Sequence, residues 1–129
     1  MPVPRRGLSV SFVGEVTDYY ATLPTNVSGL FESMRLRAME LVPEAVEGRS
    51  YAMPALLYQG KGLIAMMQTA KHLALYPFSG KVVSQVAPRL PGFSLSSGTI
   101  RFSVEQPLPG DVLDDIVRLR AAEIDGAAR

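Results

Sequence analysis

Apolar positions recur every three to four residues twice in the first third of the chain. Over 15–23, Val16, Tyr19, Tyr20 and Leu23 share one face of a short predicted helix that Pro24 stops. Val27, Leu30, Phe31, Met34, Ala38, Leu41 and Val42 then form the clearest stripe in the sequence, with Glu32, Ser33, Arg35, Arg37 and Glu40 filling the other faces. This predicts a second helix, entered through Thr25 or Asn26 as acceptor for its free N–H groups and ended by Pro43.

From 44 to 77 the pattern changes. Ala55-Leu56-Leu57-Tyr58 and a run starting at Leu63 flank Gln59-Gly60-Lys61-Gly62, whose glycines take φ > 0 without a Cβ clash, the signature of a β-hairpin. After a break at 69–72, Leu73-Ala74-Leu75-Tyr76 runs into Pro77, which cannot donate to a ladder. Three consecutive antiparallel strands are expected, with Tyr51 on a neighbouring strand. Leu63, Ile64, Met66, Met67 and Ala70 also fit a helical stripe, so periodicity leaves strand and helix both open there.

Further on, Ser79-Gly80 opens a short helix carrying Val82, Val83, Val86 and Ala87, bounded by Pro88 and Pro91. Residues 92–97 read as a loop. The segment 98–104 alternates, with Ile100, Phe102 and Val104 on one face and Thr99, Arg101 and Ser103 on the other, which predicts a fourth main strand with one wet side. A closing helix follows over 111–122, its Val112, Leu113, Ile116, Val117 and Leu119 turned inward. Near the start, 8–13 alternates apolar and small polar residues, as an edge strand or a flexible arm. The expected organisation is an N-terminal extension (1–14), one α+β domain (15–122) and a frayed tail (123–129).

Composition narrows the function classes. With 129 residues, 47% of them hydrophobic, there is material for one core and not for two. A formal net charge of +1, with both signs dispersed, gives no footprint for nucleic acid. The chain has no cysteine, which removes disulfides, thiolate metal sites and cysteine nucleophiles and fits a cytoplasmic protein. No apolar run reaches the roughly 20 residues that cross a bilayer, so no membrane role is expected.

The order of several short pieces resembles the YdhG-like domain family. They are Tyr20-Ala21-Thr22-Leu23-Pro24, Pro43-Glu44 with Glu47, Tyr51-Ala52-Met53-Pro54-Ala55, Gly60-Lys61, Lys71-His72, Leu75-Tyr76-Pro77, Ser97-Gly98-Thr99-Ile100-Arg101-Phe102, Pro107-Leu108-Pro109, and Ile116-Val117 followed by Arg120. Together they span about 16–120. Arg49 departs from the family, which usually has an aliphatic residue there, and 1–14 extend beyond its typical start. The resemblance implies a single α+β domain in which N-terminal and C-terminal helices pack on one face of an antiparallel sheet, and it favours strand at 63–70. The family is largely of unknown function and includes a proposed frataxin-like iron chaperone, so iron binding and delivery is one expected role.

Two groups of residues could carry chemistry. Asp111, Asp114 and Asp115 lie at helical spacings of three and four, and carboxylates so grouped suit iron or another hard cation; otherwise they favour and solvate a helix N-terminus. Lys71, His72 and Arg101 beside Tyr51 and Tyr76 would offer donors to a carboxylate or phosphate if they converge; otherwise His72 is a turn residue and Arg101 pairs with Glu47 or Glu105. The second group suggests a binding module for a small anionic ligand or a protein partner, and 8–13 could add a strand to form a homodimer. Catalysis finds no support: Ser97-Gly98 lacks a nucleophile elbow, Gly60-Lys61-Gly62 lacks the rest of a phosphate loop, and one histidine would have to serve every base role. A non-enzymatic protein is expected.

Overall fold

The computed structural model describes residues 14–127, and it resolves the ambiguity at 63–70 as extended chain. The elements in order are α1 (Glu15–Tyr20), α2 (Thr25–Leu41), β1 (Val46–Ser50), β2 (Met53–Tyr58), β3 (Lys61–Gln68), β4 (Leu73–Tyr76), α3 (Gly80–Val86) with a 3-10 turn (Ala87–Arg89), β5 (Ser94–Ser96), β6 (Thr99–Phe102) and α4 (Gly110–Ala127). The strands form one antiparallel sheet in the order β1-β2-β3-β4-β6-β5. The 8–13 segment lies outside the described residues.

Register explains the core. Leu56 sits opposite Ile64, Met66 opposite Leu75, Leu75 opposite Ile100 and Leu73 opposite Phe102, so these side chains share one face of the sheet. They belong to a single buried cluster with Val16 and Tyr20 of α1, Phe31 and Met34 of α2, Val82 and Val86 of α3, and Ile116 and Val117 of α4. Aromatic rings tie three elements together there: Phe31 lies 5.3 Å from Tyr20 and 6.2 Å from Phe102 between ring centroids, both tilted. The sheet thus drives the helices from both ends of the chain onto one apolar surface.

Several expectations needed correction. α1 stops at Tyr20 instead of reaching 23, because the N–H groups of Thr22 and Leu23 bond to the carbonyls of Tyr19 and Tyr20 in tight turns before Pro24. The acceptor expected from Thr25 or Asn26 is Asn26, whose Oδ1 accepts from Val27 N–H at 3.0 Å inside the first turn of α2, while the helix is entered through Pro24, whose carbonyl accepts from Ser28 N–H at 2.8 Å. The region 92–97 is not all loop, since Ser94–Ser96 pairs with β6 as an edge strand. β6 is shorter than 98–104, because Ser103 and Gln106 exchange hydrogen bonds that turn the chain. The 123–129 tail does not fray at its start: α4 continues to Ala127, and Asp125 accepts from the Tyr58 hydroxyl at 2.7 Å and Gln59 Nε2 at 2.8 Å.

Helix α1 shows how a remote residue completes an element. Its N-cap Gly14 has no side chain to give, and Glu47 of β1 accepts instead from Thr17 N–H and Thr17 Oγ1, both at 2.7 Å. A Cβ at Gly14 would collide with that carboxylate. Arg35 of α2 approaches Glu47 at 3.6 Å, so one carboxylate links α1, α2 and the sheet.

Tyr51 is not on a strand. Ser50 faces Met53 and Tyr58 faces Lys61, so both hairpins β1–β2 and β2–β3 close through two-residue turns. Two-residue turns of type I′ have φ > 0 at both central positions. Gln59 and Gly60 supply it at 52° and 76°, while the first turn forces it on Tyr51 at 50° and Ala52 at 64°. An L-residue with a Cβ in this region is strained. Ala52→Gly is therefore expected to stabilise the domain by about 0.5–1 kcal/mol, read as a higher urea midpoint at unchanged slope. A fall in midpoint would show that the turn does not carry this strain.

Candidate functional site

The β3–β4 connection and the far end of β6 build a cleft from ordinary turn chemistry. Thr69 N–H and Oγ1 donate to the His72 carbonyl at 2.8 and 2.9 Å, and Thr69 Oγ1 accepts from His72 N–H at 3.2 Å, which fixes the residue that opens β4. Arg101, opposite Ala74 in the ladder, points to the sheet face away from Ile100 and Phe102. Its Nη1 reaches Ser94 Oγ of β5 at 3.4 Å, a long contact. Beyond β6, Gln106 N–H donates to Ser103 Oγ at 2.9 Å. His72, Ser94, Arg101, Ser103 and Gln106 line an open cavity of about 400 Å³.

The expected partners of Arg101 are engaged or absent. Glu47 is held by Thr17 and Arg35, and no carboxylate, Glu105 included, lies within 4.0 Å of Arg101 among the described residues. By contrast Arg35, Arg37, Arg49, Arg89, Arg118 and Arg120 each face a carboxylate. Arg101 is thus a partly exposed residue whose guanidinium has no carboxylate counter-charge among the described residues, in a cleft that His72, Ser94, Ser103 and Gln106 line together with Gly92 and Phe102.

The predicted ligand residues do not all converge. His72 and Arg101 meet in this cleft; Lys71 is exposed in the β3–β4 turn and outside its lining; Tyr76 sits opposite Ala65, also outside it; and Tyr51 lines a separate cavity. Ser94, Ser103 and Gln106 were not anticipated. The alternation of 98–104 places Ser103 on the face of Arg101, so that residue had a signal in the sequence. Ser94 had none, because its edge strand is only three residues long.

Asp111, Asp114 and Asp115 are arranged for arginine. Asp114 takes a bidentate grip from Arg37 at 2.8 Å on both oxygens, across 77 residues of chain. That guanidinium holds the Asp114 carboxyl below the usual carboxylate range. Arg89 donates to Asp111 at 3.1 Å and also to Asp115, which faces Arg118 as well at 3.5 Å. Arg37 and Arg89 thus pin α4 to α2 and to the segment after α3. Among the described residues no group of three His, Asp or Glu is placed to hold a metal ion. No helix among them is long and apolar enough to cross a membrane.

Taken together, four helices on one antiparallel sheet define a small α+β domain with an open cleft at a strand end. The particular fold is YdhG-like. The structure aligns with the crystal structure of YdhG, a protein of the DUF1801 family from Bacillus subtilis, with a TM-score of 0.72 and 16% identity over 84% of this chain and 90% of that one. The sequence matches no family model and no curated protein.

Proposed function

We propose that the chain is a cytoplasmic, non-enzymatic binding module that holds a small carboxylate or phosphate in the cleft between His72 and Arg101. The observation that carries the reading is the guanidinium of Arg101, without a carboxylate within salt-bridge distance among the described residues while six other arginines have one. A planar, permanently charged fork beside two serine hydroxyls and a glutamine amide suits an oxyanion, which accepts from all of them. The iron-delivery role suggested by YdhG-like proteins has less behind it, since Asp111, Asp114 and Asp115 would have to release their arginines to coordinate metal.

A thermal-shift screen of small carboxylates and phosphates tests this. A ligand present at about 100 times its Kd adds about 2.7 kcal/mol to stability, a rise of several degrees. Arg101→Ala is expected to abolish the rise while leaving the unliganded melting temperature nearly unchanged. A screen in which no anion stabilises the protein, or in which Arg101→Ala responds like the native chain, overturns the reading. Ferrous and ferric iron belong in the same screen, with the triple alanine variant of Asp111, Asp114 and Asp115 as their control.

A further inference from the structure

Tyr51 occupies a costly position for a ring. It is 85% exposed and held at φ 50°, where asparagine or glycine is the usual choice. The ring stacks on Phe78 with centroids 5.9 Å apart and planes 18° from parallel, and Phe78 itself has φ 57°. Two bulky residues in the left-handed region, meeting each other, mark a site where local strain is retained for what it positions. Gly62 allows the arrangement, since a Cβ there would come within 2.6 Å of the Phe78 ring.

Both rings border a polar cavity of about 360 Å³ together with Lys61, Gly62 and Arg120. Tyr51 and Gly60 close turns at opposite ends of β2 yet line the same space, and the β2–β3 register shifts between Leu56 and Leu57. Arg120 is fixed in place, its Nε donating to the Gly62 carbonyl at 2.9 Å and its Nη1 to Glu123 at 3.2 Å. Ser79 Oγ donates to the other Glu123 oxygen at 2.9 Å. Nη2 of Arg120 is left without a partner among the described residues. Glu123 balances Arg120, and Lys61, exposed and with no carboxylate within 4.0 Å among the described residues, leaves the cavity with a net positive charge.

We propose that this cavity is a second binding site, independent of His72 and Arg101, for a small anion carrying a flat ring. The ring lies on the open face of Tyr51, and the acid group takes the Lys61 ammonium and the free edge of Arg120. A nucleoside monophosphate and an aromatic carboxylate share this chemistry. Calorimetric titration of the full chain with adenosine 5′-monophosphate and with benzoate distinguishes those sources, and inorganic phosphate and acetate serve as ring-free controls.

At least one ring-bearing anion is expected to bind about tenfold more tightly than its ring-free control. Tyr51→Asn keeps a residue suited to the turn while removing the ring, and Lys61→Gln removes the charge; each is expected to weaken that binding about fivefold or more. Circular dichroism melts of both variants establish that they fold. Because the first cleft also takes small anions, the comparison with the ring-free controls is made in Arg101→Ala, where the preference for the ring-bearing anion is expected to persist. Absence of binding by both ring-bearing anions at millimolar concentration, equal affinity for the ring-free controls, or undiminished binding in folded Tyr51→Asn and Lys61→Gln overturns the proposal. Binding lost in Arg101→Ala and kept in Tyr51→Asn assigns the ligand to the first cleft, which also overturns this one while sparing the reading of His72 and Arg101.

Discussion

Phe31→Ala is expected to destabilise the domain by about 3–5 kcal/mol, measured as a drop in the urea midpoint. Phe31 is fully buried and its ring is the meeting point of α1 through Tyr20 and of β6 through Phe102. Neither neighbour can collapse into the space easily. Tyr20 is fixed on α1, and Phe102 is held by its ladder pairing with Leu73. Domains of this size have about 5–15 kcal/mol in hand, so the variant loses a large share of it and lies close to unfolding at 37 °C. A loss below about 1 kcal/mol would mean that the helices are not anchored on the sheet through this ring.

Glu47→Ala has the next largest expected effect, about 2–3 kcal/mol, because it removes two short charge-assisted hydrogen bonds to Thr17 and a counter-charge for Arg35. The carboxylate is only 13% exposed, so water replaces these contacts poorly. A double-mutant cycle with Thr17→Val isolates the hydroxyl contact, and a coupling of about 1 kcal/mol is expected. Additive single effects would show that Glu47 acts through something other than α1. Glu47→Gln separates the parts: it keeps an acceptor for Thr17 N–H and loses the charge facing Arg35.

These two sites illustrate what was legible in the sequence. Phe31 belonged to a stripe of period 3.6, and such a stripe states its own burial. The hairpin at Gln59-Gly60 and the ends set by Pro43 and Pro77 were equally readable, since glycine and proline act on the chain locally. Ser79 as a cap was too, and its Oγ accepts from Val82 N–H at 3.2 Å. The helix-or-strand question at 63–70 was not settled by period, because β3 is buried from Gly62 to Met66 on both faces and so shows no alternation.

What stayed hidden was non-local. The grip of Arg37 on Asp114 spans 77 residues, and Glu47 caps a helix 30 residues away. A carboxylate trio at helical spacing looks the same in the sequence whether metal or arginine faces it. Tyr51 and Ala52 were hidden for another reason: they form a turn that ordinary turn chemistry would not choose. Places where local preference is overridden in this way are the places to look for function. Arg101 was found from alternation alone, but its lack of a carboxylate partner among the described residues depends on where Glu47 turns.

The most direct test of the account is an amide chemical-shift titration of the full chain with inorganic phosphate and with acetate. Saturable shifts are expected at His72, Ser94, Arg101, Ser103 and Gln106, and they are expected to disappear in Arg101→Ala. Shifts that never saturate, or that gather on Asp111, Asp114 and Asp115 instead, would contradict the account.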